Sequence, residues 1–338
     1  MVTYIIRRLL SAVVLLFIVS VVTFAIFFLI PRVAGATPET LATRYVGRAA
    51  TAETVHLTAE RLGFYDSFPV QYGHFVKGVV LGEDIDYGSG VAHCKAPCLG
   101  YSYITSREVL PELLDRLPVT LSLALGAAVI WVIFGVSTGV LSALRRRTIF
   151  DRAAMGVALA GVSLPIFFTG IVSLVIFSYN LGLTAPGGHY TNFTDGPGEW
   201  AYNLILPWIT LAFLFSAQYA RMTRAGMLET MQEDYIRTAR AKGLSESRVV
   251  IKHGLRAALT PILTIFGLDL GLLLGGAVLT ESTFSLPGLG KYAIDAISAN
   301  DLPKVMGVVL LATVFIIVAN LVVDLLYAVV DPRVRLGS

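Results

Sequence analysis

Residues 233–261 read EDYIRTARAKGLSESRVVIKHGLRAALTP, a polar, basic stretch in a chain made mostly of apolar runs. Glu233 and Asp234 open it, and Arg237, Arg240, Lys242, Arg248, Lys252 and Arg256 follow. Acids first and bases last suit the dipole of a helix over 233–242. Gly243 can take the left-handed backbone that stops a helix, and Ser245 stands where the next one would be capped. Val249, Val250, Leu255, Ala258 and Leu259 then continue toward an apolar run. The pattern predicts helix, corner, helix. One face is apolar (Tyr235, Ile236, Ala239, Leu244) and the other basic. An interfacial helix whose bases touch anionic lipid would have the same character, so a second observation must choose between lipid and a protein partner.

Outward from this stretch, composition sets the solvent. Of 338 residues, 55% are hydrophobic and 14% charged, with a mean hydropathy of +0.73. A soluble domain carries about 25% charged residues. Lipid is therefore the main solvent, and one membrane-embedded domain is expected over residues 1–338. The net charge of +3 is small, and nothing in it points to nucleic acid.

Six apolar runs are long enough to cross a bilayer, which takes about 20 residues each. They cover about 9–30, 119–144, 153–179, 204–220, 262–279 and 305–330. The first follows Arg7 and Arg8 and precedes Ala34-Gly35-Ala36, which suggests a signal peptide. Its length exceeds the usual 7–15 apolar residues of one, so it reads as a retained span. Residues 31–117 form a long polar loop, with a short helix expected over Thr58–Gly63 and an amphipathic one over Ser106–Leu117. Pro118 suits the first turn of the second span. Pro165 would kink the third.

Six spans put both termini on one side, and the positive-inside rule chooses which. The N-tail, the 145–152 loop, the 221–258 loop and the C-tail hold 16 of the 26 Arg and Lys residues. The termini and the 221–260 loop are thus expected in the cytoplasm, and the 31–117 loop outside it. Cys94 and Cys98, in CKAPC, fall in that outer loop, where a disulfide is plausible. Two free thiols are the alternative. His93 beside them lacks a fourth partner for a zinc site, and no metal is assigned.

No engine is visible. A phosphate-cradling loop needs G-x-x-x-x-G-K-[ST], and the nearest match, SLPGLGKY at 285–292, lacks the first Gly and the final hydroxyl. There is no G-x-S-x-G and no H-E-x-x-H, and the five histidines are scattered. Catalytic residues are not assigned.

At the opening stretch a family appears. Arg237-Thr-Ala-Arg-Ala-Lys-Gly243, followed by His253-Gly-Leu-Arg-Ala-Ala-Leu-Thr-Pro261, resembles the cytoplasmic "EAA" loop of ABC importer permeases. It looks most like the dipeptide/oligopeptide/nickel branch. The resemblance extends to Tyr4-Ile-Ile-Arg-Arg-Leu-Leu10, Leu273-Leu-Gly-Gly-Ala-Val-Leu-Thr-Glu281, Phe284-Ser-Leu-Pro-Gly-Leu-Gly290 and Asp324-Leu-Leu-Tyr-Ala-Val-Val-Asp-Pro-Arg333. Counting back from Gly243, the EAA positions hold Arg237, Thr238 and Ala239, so the Glu is missing. His253 and Arg256 stand where the broad family often has Ile and Pro. Both departures look like the peptide branch.

The resemblance implies an all-α membrane protein of six transmembrane helices with the type I ABC importer permease fold, in a bacterial inner membrane. It implies a second homologous permease, two cytoplasmic ATPases that bind the ATP and Mg, and an extracytoplasmic binding protein. No cofactor is expected in this chain. The 239–245 corner would be a coupling helix in an ATPase cleft. Tyr235, Ile236 and Leu244 would fill the cleft, and Arg237, Arg240, Lys242 and Arg248 would meet polar groups there. The cargo it implies is a di- or oligopeptide, with nickel or another small solute as the alternative.

The fifth run carries Gly267, Gly271 and Gly275, a small-residue stripe that lets helices approach closely. Asp269 points away from that stripe. An acid within a span is a functional candidate, either on the pathway or hydrogen-bonded within the permease pair. It is also the residue a secondary transporter would use for ion coupling, though such a protein has no need of a docking corner. Phe284, Pro287, Leu289 and Tyr292 make the 281–303 loop too apolar for a linker. It would receive the binding protein or plug the outer ends of the spans.

Overall fold

The computed structural model describes residues 2–43, 45–46, 50–86 and 90–330, with side chains at 2–9, 86, 92 and 323–330 left undescribed. Asp331, Pro332 and Arg333 therefore lie outside the described residues, as do the side chains of Arg7, Arg8 and Asp324. The chain is helical, and it forms two compact units. One comprises residues up to Pro118 with Leu289–Phe315, and the other Val119–Gly288 with the chain from Ile316 on.

In the first unit, α1 (Val2–Phe24) continues through a π-helical turn into α2 (Ile30–Val33). The outer loop then folds into α3 (Pro38–Ala42), α4 (Ala52–Arg61) and α5 (Phe68–Leu81). Thr37 and Thr51 cap α3 and α4, each accepting from an amide three residues on, at 3.2 Å. Helix α4 starts a turn and a half before the expected Thr58 and ends at Arg61, two residues before Gly63, whose φ is +64°. Leu41, Ala42, Ala59 and Phe64 bury one another there. Strands β1 (Glu83–Asp86) and β2 (Val91–Cys94) pair antiparallel, Glu83 opposite Cys94. The short β3 (Tyr101–Ser102) pairs with β4 (Arg107–Glu108). Cys94 and Cys98 are joined by a disulfide and buried with Ile85 and Tyr101.

Helix α6 (Val109–Leu144) corrects one boundary. The amphipathic segment before Pro118 and the second apolar run form a single 36-residue helix with the proline inside it. Pro118 has no amide to bond to the preceding turn.

In the second unit, the third apolar run is not one kinked helix. Helix α7 (Ile149–Ser163) and the segment that starts with α8 (Ile166–Ser173) meet at an angle of 104°. Leu164, with φ −87° and ψ 130°, is extended, the conformation forced on a residue before proline. The fourth run lies within α9 (Pro197–Thr230), which extends beyond the expected span at both ends. Residues 221–230 are thus helix rather than loop.

The hairpin follows as α10 (Asp234–Ala241) and α11 (Glu246–Arg248). A π-helical stretch, Val249–Leu255, leads into α12 (Arg256–Leu274). The expected fifth run to 279 ends early, because Gly275 and Gly276 break the helix before α13 (Val278–Thr283). Gly276, at φ +127°, has a backbone open only to glycine. The chain continues as α14 (Leu289–Ser298) and α15 (Leu302–Val330).

Five described helices are long and apolar enough to cross a membrane, or six if the bent α7–α8 pair is one span. The core of the second unit gathers Leu123, Trp131, Leu204, Trp208, Leu211, Tyr219 and Phe284. Glycines on α6 let α9 approach. A methyl at Gly126 would lie 2.2 Å from the Trp208 ring, and one at Gly139 2.6 Å from the Ala220 carbonyl.

Candidate functional site

The polar corner is built by local chemistry first. Helix α10 stops where Gly243 takes φ +75°. The Gly243 amide donates to the Arg240 carbonyl at 2.9 Å, and the Leu244 amide to the Ala239 carbonyl at 3.4 Å. This pair of bonds is the Schellman closure of a helix end, with its apolar contact made by Leu244 near Ala239. Ser245 begins α11 through its carbonyl, which accepts from the Arg248 and Val249 amides, while its hydroxyl makes no capping bond. Arg240 closes the turn with two bonds to Glu246, at 3.0 and 2.7 Å. That partner holds the Arg240 guanidinium pKa further up.

Burial then sorts the residues of the corner. Ile236 is fully buried and Ala239 nearly so, both packed against Val249 with Met231 and Leu244 beside them. The expectation that the Ile236 side chain fills a partner's cleft is therefore corrected. It belongs to the floor that holds the corner to the helices below. Leu244 is half-buried in the same floor. Tyr235 is 45% exposed, and Arg237, Arg240, Lys242, Gly243, Ser245 and Arg248 are exposed too. The outward face carries four bases and one aromatic ring, with Asp234 paired to Arg237 and Glu246 to Arg240. Nothing lies within 4 Å of where a Gly243 side chain would begin.

Asp269, on α12, is half-buried and accepts the Tyr219 hydroxyl at 2.9 Å. Tyr219 lies beside Trp131, whose ring stacks on Phe215 at 4.6 Å and neighbours Phe266 at 6.1 Å. Of the glycine stripe, Gly267 is buried, and Gly271 meets α15, where a methyl would stand 3.1 Å from the Ala319 side chain and 3.3 Å from the Ile316 backbone. Gly275 ends the helix instead of packing along it. Of the apolar residues singled out in the 281–303 segment, Phe284, Leu289 and Tyr292 turn inward, each under 5% exposed, while Pro287 is exposed.

Several polar groups escaped the sequence reading. Asp151 takes a forked pair of bonds from Arg224, at 2.7 and 2.9 Å, and further bonds from Ser142 and the Arg147 amide. Buried Glu281 accepts from Thr120 at 2.8 Å. Glu112 meets Lys304 at 2.8 Å and Tyr292 at 2.6 Å, and Asp301 accepts from Ser102. Each set joins residues far apart in sequence. The one available signal was a charged side chain inside or beside an apolar run.

Two family models account for nearly the whole chain. Residues 135–336 match the binding-protein-dependent transport system inner membrane component, and residues 1–124 match the N-terminal part of such membrane components. The chain belongs to this permease family. Similar proteins include the di/tripeptide transport system permease of Pseudomonas aeruginosa, 41% identical over 99% of both chains. The glutathione transport system permease of Escherichia coli is 36% identical over 99% of both. The dipeptide transport system permease of Alkalihalophilus pseudofirmus is 37% identical over 99% of this chain and all of the other. The permease is thus a multi-pass inner-membrane component of an ABC importer. Membership implies partners: a substrate-binding protein and ATPase subunits.

Proposed function

We propose that the permease forms half of the translocation pathway for di- or oligopeptides. A binding protein on the outer side delivers them, and ATP hydrolysis in partner chains drives transport. The observation that carries this reading is full-length similarity to permeases whose names specify dipeptides, tripeptides and glutathione. In this reading six helices span the membrane in the type I arrangement, both termini are cytoplasmic, and a second, homologous permease completes a heterodimer. ATP and Mg bind in the ATPases, and this chain needs no cofactor of its own.

The 234–248 corner is the transmission element. Its buried floor of Ile236, Ala239 and Val249 makes it move as one piece with the helices on either side. Its exposed Tyr235, Arg237, Arg240, Lys242 and Arg248 make the contacts with an ATPase. An exposed aromatic and arginines are the usual carriers of interface energy. Asp269 belongs near the pathway, held by Tyr219. The reading is tested by reconstituting the complex in proteoliposomes and comparing uptake of a labelled dipeptide with uptake of nickel. Dipeptide uptake that requires ATP and the binding protein supports it. Nickel uptake alone sinks the peptide assignment. Uptake driven by an ion gradient without ATP sinks the importer assignment.

A further inference from the structure

The first unit holds an open cavity of about 450 Å³ that the transport reading does not use. Gln71, on α5, lines it and is 7% exposed. Its amide nitrogen donates to the Gly63 carbonyl, which fixes which end of the amide is which. The other end, Oε1, is buried and has no partner among the described residues. Buried acceptors are nearly always satisfied, because leaving one without a donor is costly. A ligand that brings an N–H into the cavity would remove that cost.

The rest of the wall says what kind of donor fits. Glu60, Asp66, Glu83 and Asp84 line the cavity, with the Arg61 guanidinium and the His74 ring among them. Asp84 already meets His93 at 2.5 Å. Partial burial holds the Glu83 carboxyl above the usual carboxylate range against the opposing pull of His74 and Lys77, a penalty that a further cation would relieve. No three Asp, Glu, His or Cys among the described residues gather as a metal site would require, so a bare ion is the poorer fit. The rings of Phe75 and Tyr101 also face the cavity. Aromatic faces hold both apolar groups and ammonium cations.

We propose that this cavity binds an organic ammonium ion with an apolar substituent, its N–H held by Gln71 Oε1 and its charge by the carboxylates of the wall. The proposal does not depend on which solute the permease carries.

The test uses the full chain in lipid nanodiscs, without binding protein, and phenethylamine as the probe, read by calorimetry. Saturable binding is expected, and it should be at least about tenfold weaker for N-acetylphenethylamine, which keeps the ring and loses the charge. Gln71→Leu should weaken phenethylamine by about the same factor. Glu83→Gln, which keeps the shape of the side chain and removes its charge, should also weaken it and keeps the test open if Gln71→Leu misfolds. Asp269→Asn should leave binding unchanged. Equal binding of the neutral probe overturns the proposal. So does wild-type affinity in either cavity variant, absence of saturable binding, or loss of binding in Asp269→Asn.

Discussion

Tyr219 donates its hydroxyl to Asp269 at 2.9 Å, and the tyrosine is 1% exposed. The intramembrane acid therefore finds its partner within its own chain. Its carboxyl is held at a set position by a donor that is itself wedged beside Trp131. Asp269→Asn keeps an acceptor for Tyr219 and removes the charge. That variant is expected to assemble normally and unfold within about 1 kcal/mol of wild type, while uptake changes. Asp269→Leu leaves the buried hydroxyl unpaired and should lose about 1–3 kcal/mol. Much of that loss should return when Tyr219→Phe is added. Thermal unfolding and proteoliposome uptake read the two effects separately, and unchanged uptake kinetics in Asp269→Asn would take the residue off the pathway.

Gly243 is a conformational requirement rather than a packing one. Its φ is +75°, and there is open space where a side chain would begin. A β-branched residue there must adopt a left-handed backbone, at a cost of roughly 1–2 kcal/mol, or undo the two bonds that end α10. Gly243→Val is expected to reduce copurified ATPase and to raise the ATP hydrolysed per substrate moved. Gly243→Asn, which tolerates that backbone, should behave close to wild type. Normal assembly and coupling in the Val variant would refute the transmission role.

Asp301 lies just ahead of α15 and is 3% exposed. Burial raises its carboxyl pKa, against the opposing pull of Ser102 and Lys304. The folded protein therefore holds this proton more tightly than the unfolded chain does. Its contribution to stability is greatest below the ordinary carboxylate value and declines as pH rises through the raised one. Asp301→Asn should flatten the stability profile over that window. Unfolding midpoints measured between mildly acidic and neutral pH check this, and an unaltered slope in the variant would show that another group titrates there.

The apolar runs were legible because each is a continuous block, and the corner was legible because its acids, bases and Gly243 follow one another within a dozen residues. The helix break before Pro165 was visible as a proline, but its 104° angle was not. Periodicity ranks faces within one helix and cannot say which face another helix covers. Periodicity alone leaves Ile236 free to face outward, yet it is buried with Val249, 13 residues later, and with Ala239, Met231 and Leu244. The contacts between distant polar side chains were beyond reach for the same reason. Arg224 and Asp151 are 73 positions apart, and Tyr292 and Glu112 are 180 apart. Only the packing of helices brings such pairs together.

Gly139 joins that packing to one of those pairs. A methyl added there would stand 2.6 Å from the Ala220 carbonyl, 2.6 Å from Thr223 Cβ and 3.1 Å from the Arg224 amide. Two of these neighbours are backbone and cannot rotate away, so α9 itself must move. Arg224 leaves that backbone to make its forked contact with Asp151, and Ser142, three residues beyond Gly139 on α6, bonds the same carboxylate. Gly139→Ala is expected to lose about 1–3 kcal/mol through overpacking, despite the better helix propensity of alanine. Gly156 is the control, since nothing lies within 4 Å of its missing side chain. Gly156→Ala should be neutral or gain up to about 1 kcal/mol. Unfolding of both variants in detergent decides the matter, because a Gly139→Ala protein as stable as Gly156→Ala would mean that α6 and α9 do not approach this closely.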